Sequence, residues 1–337
     1  MVDLSTDYLG LKLASPLVAS ASPLSRDLDS ARRLEDAGAG ALVMYSLFEE
    51  EVQRAEEATA RFLHEQAIGF GEAESFLPQP DSYINEVDAY LEQLSRLKAV
   101  LDIPVIASLN GVSDDGWVRY ARLLQEAGAD ALELNVYYVA ADISQSAAEV
   151  ESRYVAMLHA VREQVSLPVA MKLSSQFSSV GHLVASLEAT GAAGVVMFNR
   201  FYQPDIDLET REVVPSLTLS SPHEALLRIH WAAILYGRTR LGLAVSGGFH
   251  TAADSLKAIM AGADVVQLCS VLLEHGAGEL GRIRQGMLDW MEENEYESIR
   301  QMRGCVSYRN AIDPAAYERA NYVKVLETHA APRGVWR

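Results

Sequence analysis

Three asparagines and one lysine fall at the ends of four successive apolar segments: Ser108-Leu109-Asn110-Gly111, Glu133-Leu134-Asn135, Met171-Lys172-Leu173-Ser174 and Met197-Phe198-Asn199-Arg200. An uncharged carboxamide both donates and accepts, so such a set matches a flat ligand edged with alternating donors and acceptors, such as a flavin pyrimidine ring or a nucleobase. A lysine inside an apolar strand is costly unless something anionic meets it. The plainer alternative is that each asparagine caps the turn after its own segment. A second constellation follows in Ser246-Gly247-Gly248-Phe249 and Leu268-Cys269-Ser270. Paired glycines let backbone N–H groups approach and face an anion, although two ordinary tight turns would read the same way. A ring pocket and a phosphate cup on one face would take a phosphorylated flat heterocycle, and FMN satisfies both.

These residues must be positioned by a repeated unit. One phrase recurs as Glu35-Asp36-Ala37-Gly38-Ala39-Gly40-Ala41, Gln125-Glu126-Ala127-Gly128-Ala129-Asp130-Ala131, Ala189-Thr190-Gly191-Ala192-Ala193-Gly194 and Met260-Ala261-Gly262-Ala263-Asp264-Val265. Each copy is a helix end, a glycine cap and the entry to a buried strand. Between the copies sit Ser15-Pro16-Leu17-Val18, Ile103-Pro104-Val105-Ile106, Leu167-Pro168-Val169-Ala170 and Leu241-Gly242-Leu243-Ala244. The spacing predicts eight strands, at roughly 16–21, 41–46, 104–109, 131–136, 168–173, 194–199, 242–247 and 265–269. Near-continuous apolar strands alternating with amphipathic helices imply a parallel sheet covered on both faces. Eight of them favour a closed (β/α)8 TIM barrel over an open doubly wound sheet.

Residues from Leu4 to Leu13 read as a small hairpin turning at Leu9-Gly10 that closes the barrel bottom. The connections after strands 2, 4 and 6 are extended, at roughly 48–83, 137–147 and 200–220, and they leave the face where barrel enzymes keep their sites. The last of them has the alternation of a hairpin from Asp205 to Leu219. Residues 295–337 follow the eighth helix as an extension packed on the outside, so the whole of 1–337 reads as a single domain.

Composition excludes several classes. The chain has 337 residues, 49% hydrophobic and 22% charged, which suits one large folded barrel rather than a disordered chain. A formal net charge of −18 argues against a nucleic-acid groove or an anionic membrane surface. Two cysteines, Cys269 and Cys305, cannot supply a disulfide scaffold, a four-cysteine zinc site or an iron–sulfur cluster. The Met1-Val2-Asp3-Leu4 start has no basic n-region, and no apolar run reaches the ~18 residues of a membrane span. The expected location is cytoplasmic. His64 and His250 are placed near the barrel mouth, His159, His182 and His230 on outer helices, and no metal site emerges.

Taken in order, the hairpin followed by Pro16-Leu17-Val18-Ala19-Ser20-Ala21-Ser22, the Leu134-Asn135 strand, the Met171-Lys172-Leu173 strand and the Ser246-Gly247-Gly248 turn resemble the FMN-binding barrel of the dihydroorotate dehydrogenase family, over residues 3–290. The resemblance implies that Gly247, Gly248, Cys269 and Ser270 hold the flavin phosphate. It implies that Lys172 stabilises negative charge at flavin N1–O2 on reduction, that Asn110, Asn135 and Asn199 hold the ring, and that Ala19, Ser20 and Ser46 line it. It also implies a homodimer. Departures fall on the substrate side. Tyr45 stands where the family usually has a lysine, and Tyr138 stands where the family has its Cys or Ser base. Ala140 replaces an asparagine, and the substrate loop reads Phe76-Leu77-Pro78-Gln79. On this mapping Tyr45, Gln79 and Asn199 face the substrate.

The FMN half is kept and the orotate half is replaced. A phenol with a pKa near ~10 is a poor base at neutral pH, but Tyr138 can protonate a substrate or serve as an aromatic wall. The leading expectation is an FMN-dependent oxidoreductase passing hydride to or from a C–C bond of a small planar substrate, as in pyrimidine biosynthesis. One alternative is an FMN-binding electron carrier or regulatory subunit with a redox partner protein. The other is a flavin-free lyase or isomerase of a phosphorylated metabolite, for which Glu133 would be the candidate base.

Overall fold

Gly38, Gly128, Gly191 and Gly262, the four glycines of the repeated phrase, all adopt positive φ (94°, 93°, 98° and 131°). Each ends a helix and turns the chain into a buried strand, a conformation that a Cβ would strain. A computed structural model describes residues 2–50, 52, 54, 86–111, 114–200 and 202–318.

The chain opens with β1 (Thr6–Tyr8) and β2 (Leu11–Leu13), an antiparallel hairpin. The barrel strands are β3 (Leu17–Ala19), β4 (Ala41–Phe48), β5 (Val105–Asn110), β6 (Ala131–Asn135), β7 (Val169–Leu173) and β8 (Gly194–Met197). A second hairpin, β9 (Asp205–Asp207) and β10 (Glu212–Val214), interrupts them before β11 (Gly242–Ser246) and β12 (Val265–Leu268) complete the set. The eight are parallel and closed, with β12 paired to β3 and β11 to β8. This is the (β/α)8 barrel expected from the repeats. Around it lie α1 (Leu28–Asp36), α2 (Glu86–Val100), α3 (Asp114–Glu126), α4 (Ala147–Arg162), α5 (Val180–Thr190), α6 (Ala225–Leu235) and α7 (Ala252–Ala261). The predicted eighth helix is two pieces, α8 (Ser270–His275) and α9 (Gly278–Glu293), parted at Gly276 where φ is 80°. A short α10 (Ile299–Met302) follows, and residues 304–308 pack on the outer helices, with the N–H groups of Gly304, Val306 and Tyr308 donating to Ile259, Met260 and Ala233.

The barrel interior is lined by small residues. Val18, Ala41, Val43, Ile106, Ala131, Ala170, Val196, Ala244 and Val265 form a cluster with Tyr8, Leu9 and Leu13, apart from the larger core under the helices. The hairpin tip is thus a plug. Gly194 and Gly242 start β8 and β11 and make room for it: a Cβ on Gly194 would lie 2.7 Å from Leu9 Cδ2, and one on Gly242 would lie 2.9 Å from Tyr8 Cδ2. The Tyr8 hydroxyl is buried with no hydrogen-bond partner among the described residues. Burial, with the negative charge of Glu133 above it, pushes this phenol well above its ordinary pKa, so it stays neutral.

A Gly194→Ala variant tests the plug. Its Cβ would also lie 2.9 Å from the Gly242 carbonyl oxygen, which a side-chain rotation cannot relieve. Thermal unfolding should report a loss of about 1–3 kcal/mol; an unchanged midpoint would show that the hairpin does not fill the barrel.

Candidate functional site

At the C-terminal pole of the barrel lies a cavity of about 450 Å³, whose walls include Asn110, Asn135, Lys172 and Asn199. Four adjacent strands or strand ends therefore deliver the three carboxamides and the ammonium to one space. The Asn199 side-chain amide donates to Asn135 Oδ1 at 2.7 Å, which fixes two of the three amides relative to each other. Lys172 is buried, and its Nζ meets Glu133 Oε1 at 3.0 Å. The other carboxylate oxygen of Glu133 accepts from Gln267 Nε2 at 2.6 Å, and Gln267 Oε1 accepts from Ser20 Oγ at 3.2 Å. The anion that a buried lysine requires is thus supplied by the neighbouring strand.

Tyr45 and Ser46 both line the cavity although they are consecutive, which a regular strand forbids. The register explains it. Val43 pairs with Ile106 but Ser46 pairs with Ser108, so β4 carries an extra residue here. The bulge is held from outside by Ser25, whose Oγ accepts from Tyr45 N–H at 2.7 Å. Ser46 Oγ lies 2.8 Å from Ser108 Oγ. The Arg26 guanidinium covers the Tyr45 ring at 4.2 Å, and Tyr45 meets Tyr90 edge-on at 4.8 Å.

Of the two tyrosines after β6, it is Tyr137 that lines the cavity. Its hydroxyl accepts from Tyr202 N–H at 3.0 Å, and Tyr202 lines the cavity too. Tyr138 does not line it: its hydroxyl donates to Gln145 at 2.6 Å and its ring lies under Arg153 at 4.2 Å. Tyr138, the tyrosine singled out from its place in the sequence, therefore lies off the cavity wall that Tyr137 forms. Ala19 and Ser20 are buried below the rim, and Ala21 and Ser22 line the space instead. Gln79 and His64 lie outside the described residues.

Gly247 and Gly248 turn with φ of 94° and 91°, beside Cys269 and Ser270. Their closest neighbours are protein atoms. A Cβ on Gly248 would lie 2.4 Å from Ala225 N, and one on Gly247 would lie 3.1 Å from the Arg228 guanidinium. Gly248 N–H donates to Ser220 Oγ at 3.1 Å. Ser270 Oγ accepts from both the Ser220 N–H (3.0 Å) and the Ser220 hydroxyl (2.8 Å), which leaves its own hydrogen to face elsewhere. Ser220 thus takes the Gly248 N–H, with His250 Nε2 3.4 Å from its hydroxyl. Arg228, buried, ties the turn to the strand before it, donating to the carbonyls of Ser246 (3.0 Å), Glu224 (2.9 Å) and Phe198 (3.4 Å). Burial pushes the Cys269 thiol up, while the positive charges of Lys172 and Arg200 pull it back in part.

Sequence reasoning missed the pairing of Lys172 with Glu133, and of Glu133 with Gln267, although period-two alternation from Asn135 puts Glu133 on the same inner face, one layer down. It missed Tyr137, because a one-residue choice after a strand end has no periodicity to guide it. For Ser220 and Arg228 the only local signal was the Ser221–Glu224 capping box, which marks a helix start.

A barrel with a carboxamide and ammonium rim at its C-terminal pole defines a class, and the comparisons with known proteins narrow it. The family model for dihydroorotate dehydrogenase matches residues 80–291, so the chain belongs to that family. It is 25% identical over 347 residues to the NAD-dependent dihydropyrimidine dehydrogenase subunit PreA of Escherichia coli, covering 95% of this chain and 80% of the relative. It is 26% identical over 321 residues to the catalytic subunit of dihydroorotate dehydrogenase B (NAD(+)) of Thermoplasma acidophilum, covering 90% and 99%. To a putative dihydroorotate dehydrogenase A (fumarate) of Aeropyrum pernix it is 27% identical over 325 residues, covering 90% and 97%. The chain is an oxidoreductase of this family. Among the described residues no helix is long and apolar enough to cross a membrane.

Replacing Arg228 by Met would leave the carbonyls that it holds without their donor. Urea denaturation should show a loss of about 2–3 kcal/mol, with an unchanged m-value; a smaller effect would mean that water replaces the guanidinium.

Proposed function

We propose that this protein is an FMN-dependent oxidoreductase that transfers hydride to or from a carbon–carbon bond of a small planar substrate. The observation that carries the reading is the convergence of Lys172, Asn110, Asn135 and Asn199 on one cavity. Three amides and one ammonium match the mixed donor and acceptor edge of a flavin, and a cavity of about 450 Å³ has the volume such a ring system needs. For the phosphate end the chain offers the Ser270 hydroxyl, whose hydrogen is not used by Ser220, beside the Gly247–Gly248 turn, where Gly248 N–H is already taken by Ser220 Oγ. When bound, FMN supplies the hydride acceptor and donor. The chain's own part is to place a cation, Lys172, where reduction adds negative charge, and to hold the ring between fixed amides.

The substrate side is made of Tyr45, Tyr137 and Tyr202 with the Arg26 guanidinium, and Asn199 spans both halves. Aromatic walls select a flat substrate, and Tyr137 is the hydroxyl placed to give or receive a proton there. The replaced positions Tyr45 and Ala140 make dihydroorotate itself a poor fit. The chain's activity on this reading is that of a dihydroorotate dehydrogenase-like enzyme with a different substrate. A redox partner is a second element of the reading, since the names of the Escherichia coli and Thermoplasma relatives mark them as subunits, and Cys269 with Cys305 cannot build an iron–sulfur wire within this chain. Glu133, bound to Lys172, is unavailable as the base of a flavin-free lyase.

Purified protein should carry, or gain on adding FMN, a visible flavin absorbance band; protein that shows neither ends the proposal. Lys172→Met should slow flavin reduction by about 100-fold, the scale of losing one preorganised charge at a reacting site. Tyr137→Phe should depress turnover while Tyr138→Phe leaves it near wild type. The reverse order would return the proton role to Tyr138.

A further inference from the structure

Glu133 is a buried carboxylate that neither ring binding nor the substrate wall uses. It is 1% exposed, as is Gln267, with Ser20 at 4% and Lys172 at 5%. The four side chains come from β6, β12, β3 and β7, and they form one hydrogen-bonded chain across the barrel interior: Lys172 to Glu133, Gln267 to Glu133, Ser20 to Gln267. Each carboxylate oxygen has a single donor, one cationic and one neutral. Around them the barrel offers Ala131, Ala170, Val196 and Ala244, none of which carries charge. The ammonium that faces the cavity is therefore one half of an ion pair whose other half lies one layer deeper, below Asn135 on the same inward face of β6.

We infer that Glu133 is a positioning residue that acts through Lys172: it pins the ammonium under the cavity and offsets its charge, so that the bound flavin is held at a lower reduction potential than an unpaired lysine would give. This rests on the FMN reading above. A negative ring pulls on the ammonium and is repelled by the carboxylate behind it, and at protein dielectric that repulsion across a layer or two is not negligible. Gln267 and Ser20 give the second oxygen its donor, without which the carboxylate would be incompletely satisfied in an apolar setting. The same chain permits a clean test. A glutamine at position 133 keeps the shape; turning the Gln267 amide over lets position 133 donate to Gln267 Oε1, with the Ser20 hydroxyl accepting from Gln267 Nε2.

Two measurements test the inference. In the first, wild type and Glu133→Gln, both loaded with FMN, are equilibrated with a reference dye of known potential. The variant should favour reduced over oxidised flavin by about tenfold, an upward shift of ~30 mV for a two-electron couple. An unchanged or lowered potential with FMN still bound overturns the inference and leaves the FMN reading standing, whereas a protein that takes up no FMN overturns both. The second is thermal unfolding of the FMN-free protein. Lys172→Met should lower Tm by roughly 5 °C or more, because it strands a buried carboxylate. Adding Glu133→Gln to that variant should restore most of the loss. Losses that simply add would show two space-filling residues rather than a coupled pair, and would overturn the positioning role whatever the flavin does.

Discussion

An ammonium and a carboxylate 3.0 Å apart can stay inside an apolar barrel only if the walls leave them room and every remaining oxygen finds a donor. Both conditions are written into the strands. Inward positions that in a filled barrel would hold branched residues are Ala41, Ala131, Ala170 and Ala244, with Gly194 and Gly242 at the lower end. That leaves a column of space along the axis. Tyr8 and Leu9 fill it from below, and the long side chains of Lys172, Glu133 and Gln267 fill it from within. Desolvating two charges costs several kcal/mol for each ion, and the attraction between them offsets this only with good geometry. Such a pair adds little to stability. Its consequence is to set a cation at the floor of the mouth.

The rest of the mouth is arranged around that floor. Asn135 follows Glu133 by one alternation, so the residue that anchors the lysine and the amide that lines the cavity share one face of β6. Asn199 reaches it from the end of β8 and locks to it at 2.7 Å. The connection from β8 to α6 then does a second job. It carries Arg200, which pairs with Glu224 at 2.8 Å, and Ser220, which binds the turn after β11 and the start of α8, and it leads into α6, whose Arg228 holds that turn as well. A long connection that a barrel could have omitted is thereby tied into both ends of the site. Gly248 is glycine for this reason: the backbone of Ala225 passes where its Cβ would be.

Much of this was legible because the barrel repeats. The four helix-end glycines announced the strand entries, and all four adopt the positive φ that the reading required. The demand that Lys172 find an anion was equally sound, and alternation along β6 placed Glu133 on the inner face. What alternation cannot show is which neighbour across the barrel a side chain will reach: Gln267 is 134 residues from Glu133 in sequence, and Ser20 is 247 from Gln267. The β4 bulge was hidden for a related reason. Ser25 and Gln93, from outside the strand, hold it through Tyr45 N–H and the Ser25 carbonyl, so nothing within Val43-Met44-Tyr45-Ser46 reveals it. Without the bulge, Tyr45 and Ser46 would face opposite sides. The choice between Tyr137 and Tyr138 was decided by Gln145 and Arg153, which take Tyr138 away from the mouth.

The two halves of the site are built by different means, which bears on how the family varies. The side with Asn110, Asn135 and Lys172 hangs on barrel strands whose inward residues are constrained by packing, so a change there meets the cavity, overpacking or unpaired-charge costs of a core. The side with Arg26, Tyr45, Tyr137 and Tyr202 hangs on the bulge of β4 and on the connections after β3, β6 and β8. They can be exchanged without moving the barrel. Relatives at about 25–27% identity that span nearly the whole barrel, with names pointing to dihydropyrimidine in one case and dihydroorotate in others, are what such a division produces. In this chain that side carries aromatic surface: three tyrosines and Phe48 around the opening, with a guanidinium stacked on one of them. A ligand admitted there gains most by lying flat against a ring.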